Sequence, residues 1–225
     1  MDPSKRLMLP IRMHLTVSDI ADAVQAGLQR TLAQHDLEQA VYSLDALDEV
    51  ALHPIVAQSL QEAGFGVFRE QRYPADRVRR KVSHGERCDF VLTTDNRWLK
   101  HPDAADTLFD PADAMALSDA FWLEAKVVPQ FTIDGPNPYY ASQLLSTVRL
   151  DVTKLSKDPG ILHAGLLIVL FVSDEQVAAH DLGIWQDRCL RRGLPIGAPA
   201  QRLVCITDRH GNRVCAISAF PVNHL

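Results

Sequence analysis

The sequence predicts an α/β fold, a sandwich in which helices flank a central mixed sheet. Stretches with apolar residues every three or four positions alternate along the chain with short apolar runs rich in β-formers, the pattern of a layered α/β domain. The composition is that of a folded protein, 225 residues with 47% apolar and 23% charged side chains, ample for a core. No Pro/Gly/Ser-rich tract divides the chain, so residues 1–225 are expected to form one domain.

The elements follow in order. Ile20, Val24, Leu28 and Leu32 recur every four residues, with Thr16 or Ser18 available as a cap, which predicts an amphipathic helix from Ser18 to about Gln34 in an N-terminal extension, 1–44. A second helical stretch runs from about Asp45 to Ala63. His53-Pro54 is expected to kink or divide it into two short helices, and Gly64 ends it. Gly66–Tyr73 and Cys88–Thr93 have strand length and composition and read as neighbouring strands. Thr94–Asp119, with six aspartates and two prolines, reads as an irregular insertion.

Ala120–Val128 is β-rich and apolar, the pattern of a central strand. After the turn-rich TIDGPNP, Leu144, Leu145, Val148, Val152 and Leu155 predict a helix over Tyr139–Lys157, stopped by Asp158-Pro159-Gly160. Ile161–Val172 reads as a buried strand and Asp174–Arg192 as a helix. Arg202–Thr207 and Val214–Phe220 read as a hairpin around DRHGNR.

Several function classes are excluded or disfavoured. The longest apolar run, Ala164–Val172, is far shorter than the roughly 18–20 residues that span a bilayer, and the N-terminus lacks a secretory pattern, so a soluble, cytoplasmic chain with no membrane role is expected. The four cysteines lack CxxC spacing and are expected to be reduced. Cys205, His210 and Cys215 match no common zinc finger, and neither a GxSxG elbow nor a GxxxxGK[ST] loop is present. A net charge of −5 does not announce a polyanion binder, so such a role rests on local basic clusters.

The chemistry concentrates in the strand AFWLEAKVV. Glu124 and Lys126 lie two apart, so they share a face, and theirs is the only Glu-x-Lys triplet among seven glutamates and six lysines. Burying both unassisted is costly, so a strand that otherwise reads as core keeps them for a site. Asp89 opens the apolar run DFVLT, expected to lie beside AFWLEAKVV, which brings its carboxylate towards Glu124. Two converging carboxylates make a hard, oxygen-lined site for Mg2+ or Mn2+. A lysine beside them orients or deprotonates water, or stabilises charge developing on a phosphate.

Helix, strand, Asp in the next strand, Glu-x-Lys in the third and then helix resembles the PD-(D/E)xK nuclease superfamily over about Asp45 to Pro159. The resemblance implies a restriction-endonuclease-like fold with a motif-bearing core at 45–159 and further strands and a helix over 160–225. It also implies metal-dependent cleavage of nucleic acid, with DNA the expected substrate. Asp89 and Glu124 are then metal ligands, Ala125 a backbone-carbonyl ligand and Lys126 the catalytic lysine. The acid that the superfamily often carries in the first helix maps to Glu49, with Glu62 in the same region. This chain departs from the pattern in having Cys88 where the motif name has proline and an acidic insertion between Asp89 and Glu124.

Residues 69–87 carry seven Arg/Lys against three acids, a local +4 immediately before Asp89, and Arg79, Arg80 and Lys81 are expected to bind phosphate. A solvated charged hairpin is the plainer reading. Gln143 is placed to orient substrate or water. Arg149, Asp151 and Lys154 read at least as well as surface ion pairs, and Tyr139 and Tyr140 either stack on bases or join the core. The competing function is a catalytically inactive nuclease-fold module in protein or nucleic-acid assembly, and a homodimer or larger complex is left open.

Overall fold

A computed structural model describes residues 15–75, 86–100 and 113–224. Helix α1 (Val17–Leu37) begins with a capping box: the Thr16 hydroxyl accepts from the Asp19 amide, and the Asp19 carboxylate accepts from the Thr16 amide. Helix α2 (Glu49–Glu62) begins where the Asp48 carboxylate accepts from the Ala51 amide at 2.8 Å. It is one helix, not two. The bond that Pro54 cannot donate falls on the carbonyl of Val50, an exposed residue, where water serves instead. Gly64, at φ 93°, closes α2 in a Schellman arrangement, its amide donating to Gln61 and that of Phe65 to Leu60.

Six strands form the sheet: β1 (Gly66–Arg72), β2 (Arg87–Thr93), β3 (Phe121–Pro129), β6 (His163–Val172), β7 (Ala200–Cys205) and β8 (Val214–Val222), in the order β1-β2-β3-β6-β8-β7. Strand β3 runs parallel to β6 over its whole length, and the other pairs are antiparallel, so the sheet is mixed as expected. Two short strands, β4 (Phe131–Thr132) and β5 (Gly135–Pro136), form a hairpin from the TIDGPNP segment. Of the acidic insertion, residues 101–112 lie outside the described parts. Thr94–Asn96 forms one 3-10 turn, and Leu99 bridges Met115.

The helical stretch after β5 is not uniform. Helix α3 (Tyr140–Ser142) passes through a π-helical segment, Gln143–Thr147, into α4 (Val148–Lys157). Within α4 the helical period turns Val148, Val152 and Leu155 to the core, and Asp151, among them, is buried too. Helix α5 (Glu175–Arg191) follows β6 and is capped by Asp174.

Period-two alternation assigns the two faces of the sheet. Leu123, Ala125, Leu167, Val169 and Ile217 pack under α1 and α2, whereas Trp122, Leu166, Ile168, Leu170 and Phe220 pack under α4 and α5. Each fully buried side chain of this size contributes roughly 1.5–3 kcal/mol relative to exposure. Helix α1 packs on α2 and also on β7 and β8 near the C-terminus. There Gln25 donates to the Leu203 carbonyl at 3.1 Å, and Arg202 pairs with Asp22 at 2.6 Å. Among the described residues no helix is long and apolar enough to cross a membrane.

Candidate active site

The site begins where β2 and β3 part. Their ladder pairs Leu92 with Phe121, Val91 with Trp122 and Phe90 with Leu123, and then stops. Beyond that point side chains replace it: the Ala125 amide donates to the Asp89 carboxylate at 2.9 Å, and the Cys88 thiol lies 3.4 Å from the Leu123 carbonyl. A carboxylate inserted in a ladder forks the two strands, and the fork opens beside Glu124. Ala125 is thus joined to Asp89 through its amide, and its carbonyl, the expected metal ligand, points to the same side of the strand.

Glu124 is 3% exposed and accepts a hydrogen bond from the Tyr73 hydroxyl. Burial, then the neighbouring Asp89 carboxylate and the hydrogen bond shared with it, push the Glu124 carboxyl up to about 9, with Asp151 adding to the rise and Tyr73 opposing it. The shift is in the direction expected of one member of a close carboxyl pair, which holds its proton more tightly than a free carboxyl does. Burial and the charges of Cys88 and Glu124 raise the Tyr73 hydroxyl far above its ordinary value, so Tyr73 remains a donor.

Lys126 reaches both helical layers. Its Nζ donates to Glu49 Oε1 of α2 at 2.8 Å and lies 3.6 Å from Asp151 Oδ2 of α4. Burial opposes its charge, but the Glu49 hydrogen bond and the charges of Asp151, Glu49 and Asp89 prevail and hold it above the ordinary lysine value. The two carboxylates hold the Lys126 ammonium in place beside the fork. Glu49, not Glu62, is the acid of α2 at this site; Glu62 pairs on the surface with Arg30.

Asp151 corrects the surface reading. It is buried, and burial raises its carboxyl despite Lys126 and Lys154, the latter 3.3 Å away. Lys154 also lies 3.7 Å from Glu86. His53, read only as a point of division in α2, is 5% exposed, and it joins Glu49 and Asp89 in the one group of possible metal-ligating side chains among the described residues. Its signal was the spacing Glu49-x-x-x-His53, which puts both on one helix face. Tyr73 and Asp151 carried no comparable local signal.

A groove is lined by Glu49 and Lys126 together with Val127, Val128, Tyr139 and Gln143. Gln143 is exposed and accepts from the Asn137 amide at 3.0 Å. Tyr139 stands exposed at the groove, whereas the Tyr140 hydroxyl donates to Asp181 at 2.8 Å on the α5 side. Arg79, Arg80 and Lys81 lie outside the described residues. No protein family, curated protein or solved structure matches the chain.

Proposed function

We propose that the chain is a metal-dependent nuclease with the restriction-endonuclease-like PD-(D/E)xK arrangement, hydrolysing phosphodiester bonds of nucleic acid, with DNA the expected substrate. One observation carries the reading: Asp89, Glu124, Lys126 and Glu49, distant in sequence, converge at a fork in the sheet where a carboxylate takes over a ladder hydrogen bond. The donor set suits a divalent cation. Glu49 lies within ligand reach of Asp89, and the Glu124 carboxyl is a close electrostatic neighbour of Asp89, so positive charge is what the cluster favours.

Asp89, Glu124 and Glu49 would hold Mg2+ or Mn2+. When bound, such an ion polarises a phosphoryl oxygen and lowers the pKa of a bound water. The chain's own residues supply the rest. Lys126 presents a fixed positive charge to the developing phosphorane, Glu49 and Asp151 orient its ammonium, and Tyr73 fixes the Glu124 carboxyl. The alternative, an assembly module without catalysis, draws on the same ion pairs, since Glu49 and Asp151 already match the Lys126 charge internally.

Incubation of the purified chain with plasmid DNA or single-stranded RNA, in Mg2+, Mn2+ or EDTA, separates the two. The nuclease reading expects cleavage with metal, none in EDTA, and loss in Asp89→Asn and Glu124→Gln. A folded wild-type protein that cuts neither polymer with either metal returns the chain to the assembly-module reading.

A further inference from the structure

The sequence led to an oxygen-lined centre; the surroundings of His53 lead elsewhere. Its imidazole is 5% exposed and lies against the Phe90 ring, centroids 5.1 Å apart at 64°. Its Nε2 is buried and has no hydrogen-bond partner among the described residues. An orphaned buried polar atom costs about 1–3 kcal/mol and calls for a physical reason. Helix α2 suggests one: Glu49 and His53 stand one turn apart on a single face, that face meets Asp89, and ligand atoms of all three lie within 4.8 Å of one another. Donors about 2.1 Å from one ion stand roughly 3–4 Å apart, so small side-chain movements bring the set onto a shared cation.

We infer that His53 is a metal ligand beside Glu49 and Asp89, and that the centre is therefore a mixed nitrogen–oxygen site that takes Mn2+ or another first-row transition ion more tightly than Mg2+. The inference rests on the metal-dependent reading above. Mg2+ favours oxygen and gives up water reluctantly, whereas imidazole suits the transition ions, so one nitrogen ligand tilts the selectivity. A ligand rooted in a helix is also held in place, which lowers the ordering cost of binding.

The test uses the full chain with MnCl2 or MgCl2 as the only added ligand. Calorimetric titration of wild type should show Mn2+ preferred by about tenfold or more. Pulsed electron paramagnetic resonance of the Mn2+ form should show 14N coupling from a directly bound imidazole. His53→Gln and His53→Leu, the second filling an apolar pocket, should each remove that coupling and lower Mn2+ affinity about tenfold while changing Mg2+ affinity far less. Bound Mn2+ without nitrogen coupling, or an unchanged preference in the folded variants, overturns the inference and leaves an oxygen-ligated nuclease standing. Failure of wild type to bind either ion overturns both. If neither variant folds, the wild-type 14N signal decides the matter alone.

Discussion

Glu124 shows how one side chain's surroundings set the chemistry of the site. Burial and Asp89 push its carboxyl up to about 9, against an ordinary 4.5. Because the folded value is the higher, its contribution to stability is full below about pH 4.5 and is lost as pH rises through about 9. In EDTA, wild type should therefore lose stability steadily across that window, and Glu124→Gln should flatten the slope in urea denaturation series; parallel slopes would refute the assignment. Tyr73→Phe removes a hydrogen bond that favours the charged form, so Glu124 should hold its proton more tightly. Mn2+ binding at pH 7 should then weaken and release more protons in calorimetry carried out in two buffers. Asp89, Glu124 and Lys126 were legible in the sequence because spacing and strand pattern act locally. Asp151 was not: Asp151-x-x-Lys154 has the spacing of a surface ion pair, although Val148 and Leu155, one turn to either side, put Asp151 on the buried face of the helix.

At the scale of elements, strand positions were legible to within a residue or two because apolar runs between turn residues have few other solutions. The β4–β5 hairpin, in a segment read as turns, and two helical features escaped. Pro54 ends many helices, yet α2 passes through it because the affected carbonyl belongs to an exposed residue. A wide helical turn has no residue signature, so the irregularity at Gln143–Thr147 had nothing to announce it. Gly27 sets how α1 meets α2: an added Cβ would lie 1.6 Å from the Ser59 hydroxyl oxygen, itself bonded to the Ile55 carbonyl. Gly27→Ala should cost about 1–3 kcal/mol by forcing the helices apart. Since α2 carries Glu49 and His53, thermal melts should fall and Mn2+ affinity should fall with them. A melt within error of wild type would show that the crossing yields freely.

Across the whole molecule, the neighbours β1–β2, β2–β3 and β7–β8 were legible, whereas β3–β6 and β6–β8 rest on long-range pairing that composition cannot reveal; the alternation of elements indicated the sheet's mixed, helix-flanked character. Charge is unevenly spread: the chain carries −5, while residues 69–87 carry an excess of four positive charges. If that segment guides a polyphosphate, replacing Arg79, Arg80 and Lys81 with alanine should lower the logarithmic salt slope of nucleic-acid binding by about 0.7–0.9 per lost contact and leave metal binding intact. Lys126→Ala should do the opposite, retaining most affinity while slowing cleavage about 100- to 1,000-fold. Equal effects on affinity and rate in both variants would merge roles that the site keeps apart. The docking of α1 on β7 and β8 has a consequence for biosynthesis. At about 5–20 residues per second, a ribosome takes roughly 10–40 s to pass from α1 to β8. Throughout that interval the apolar stripe of the first helix has only part of its final seat. Until that last strand emerges the stripe stays partly uncovered, so the arrival of β8 is the step that completes the seat of the first helix.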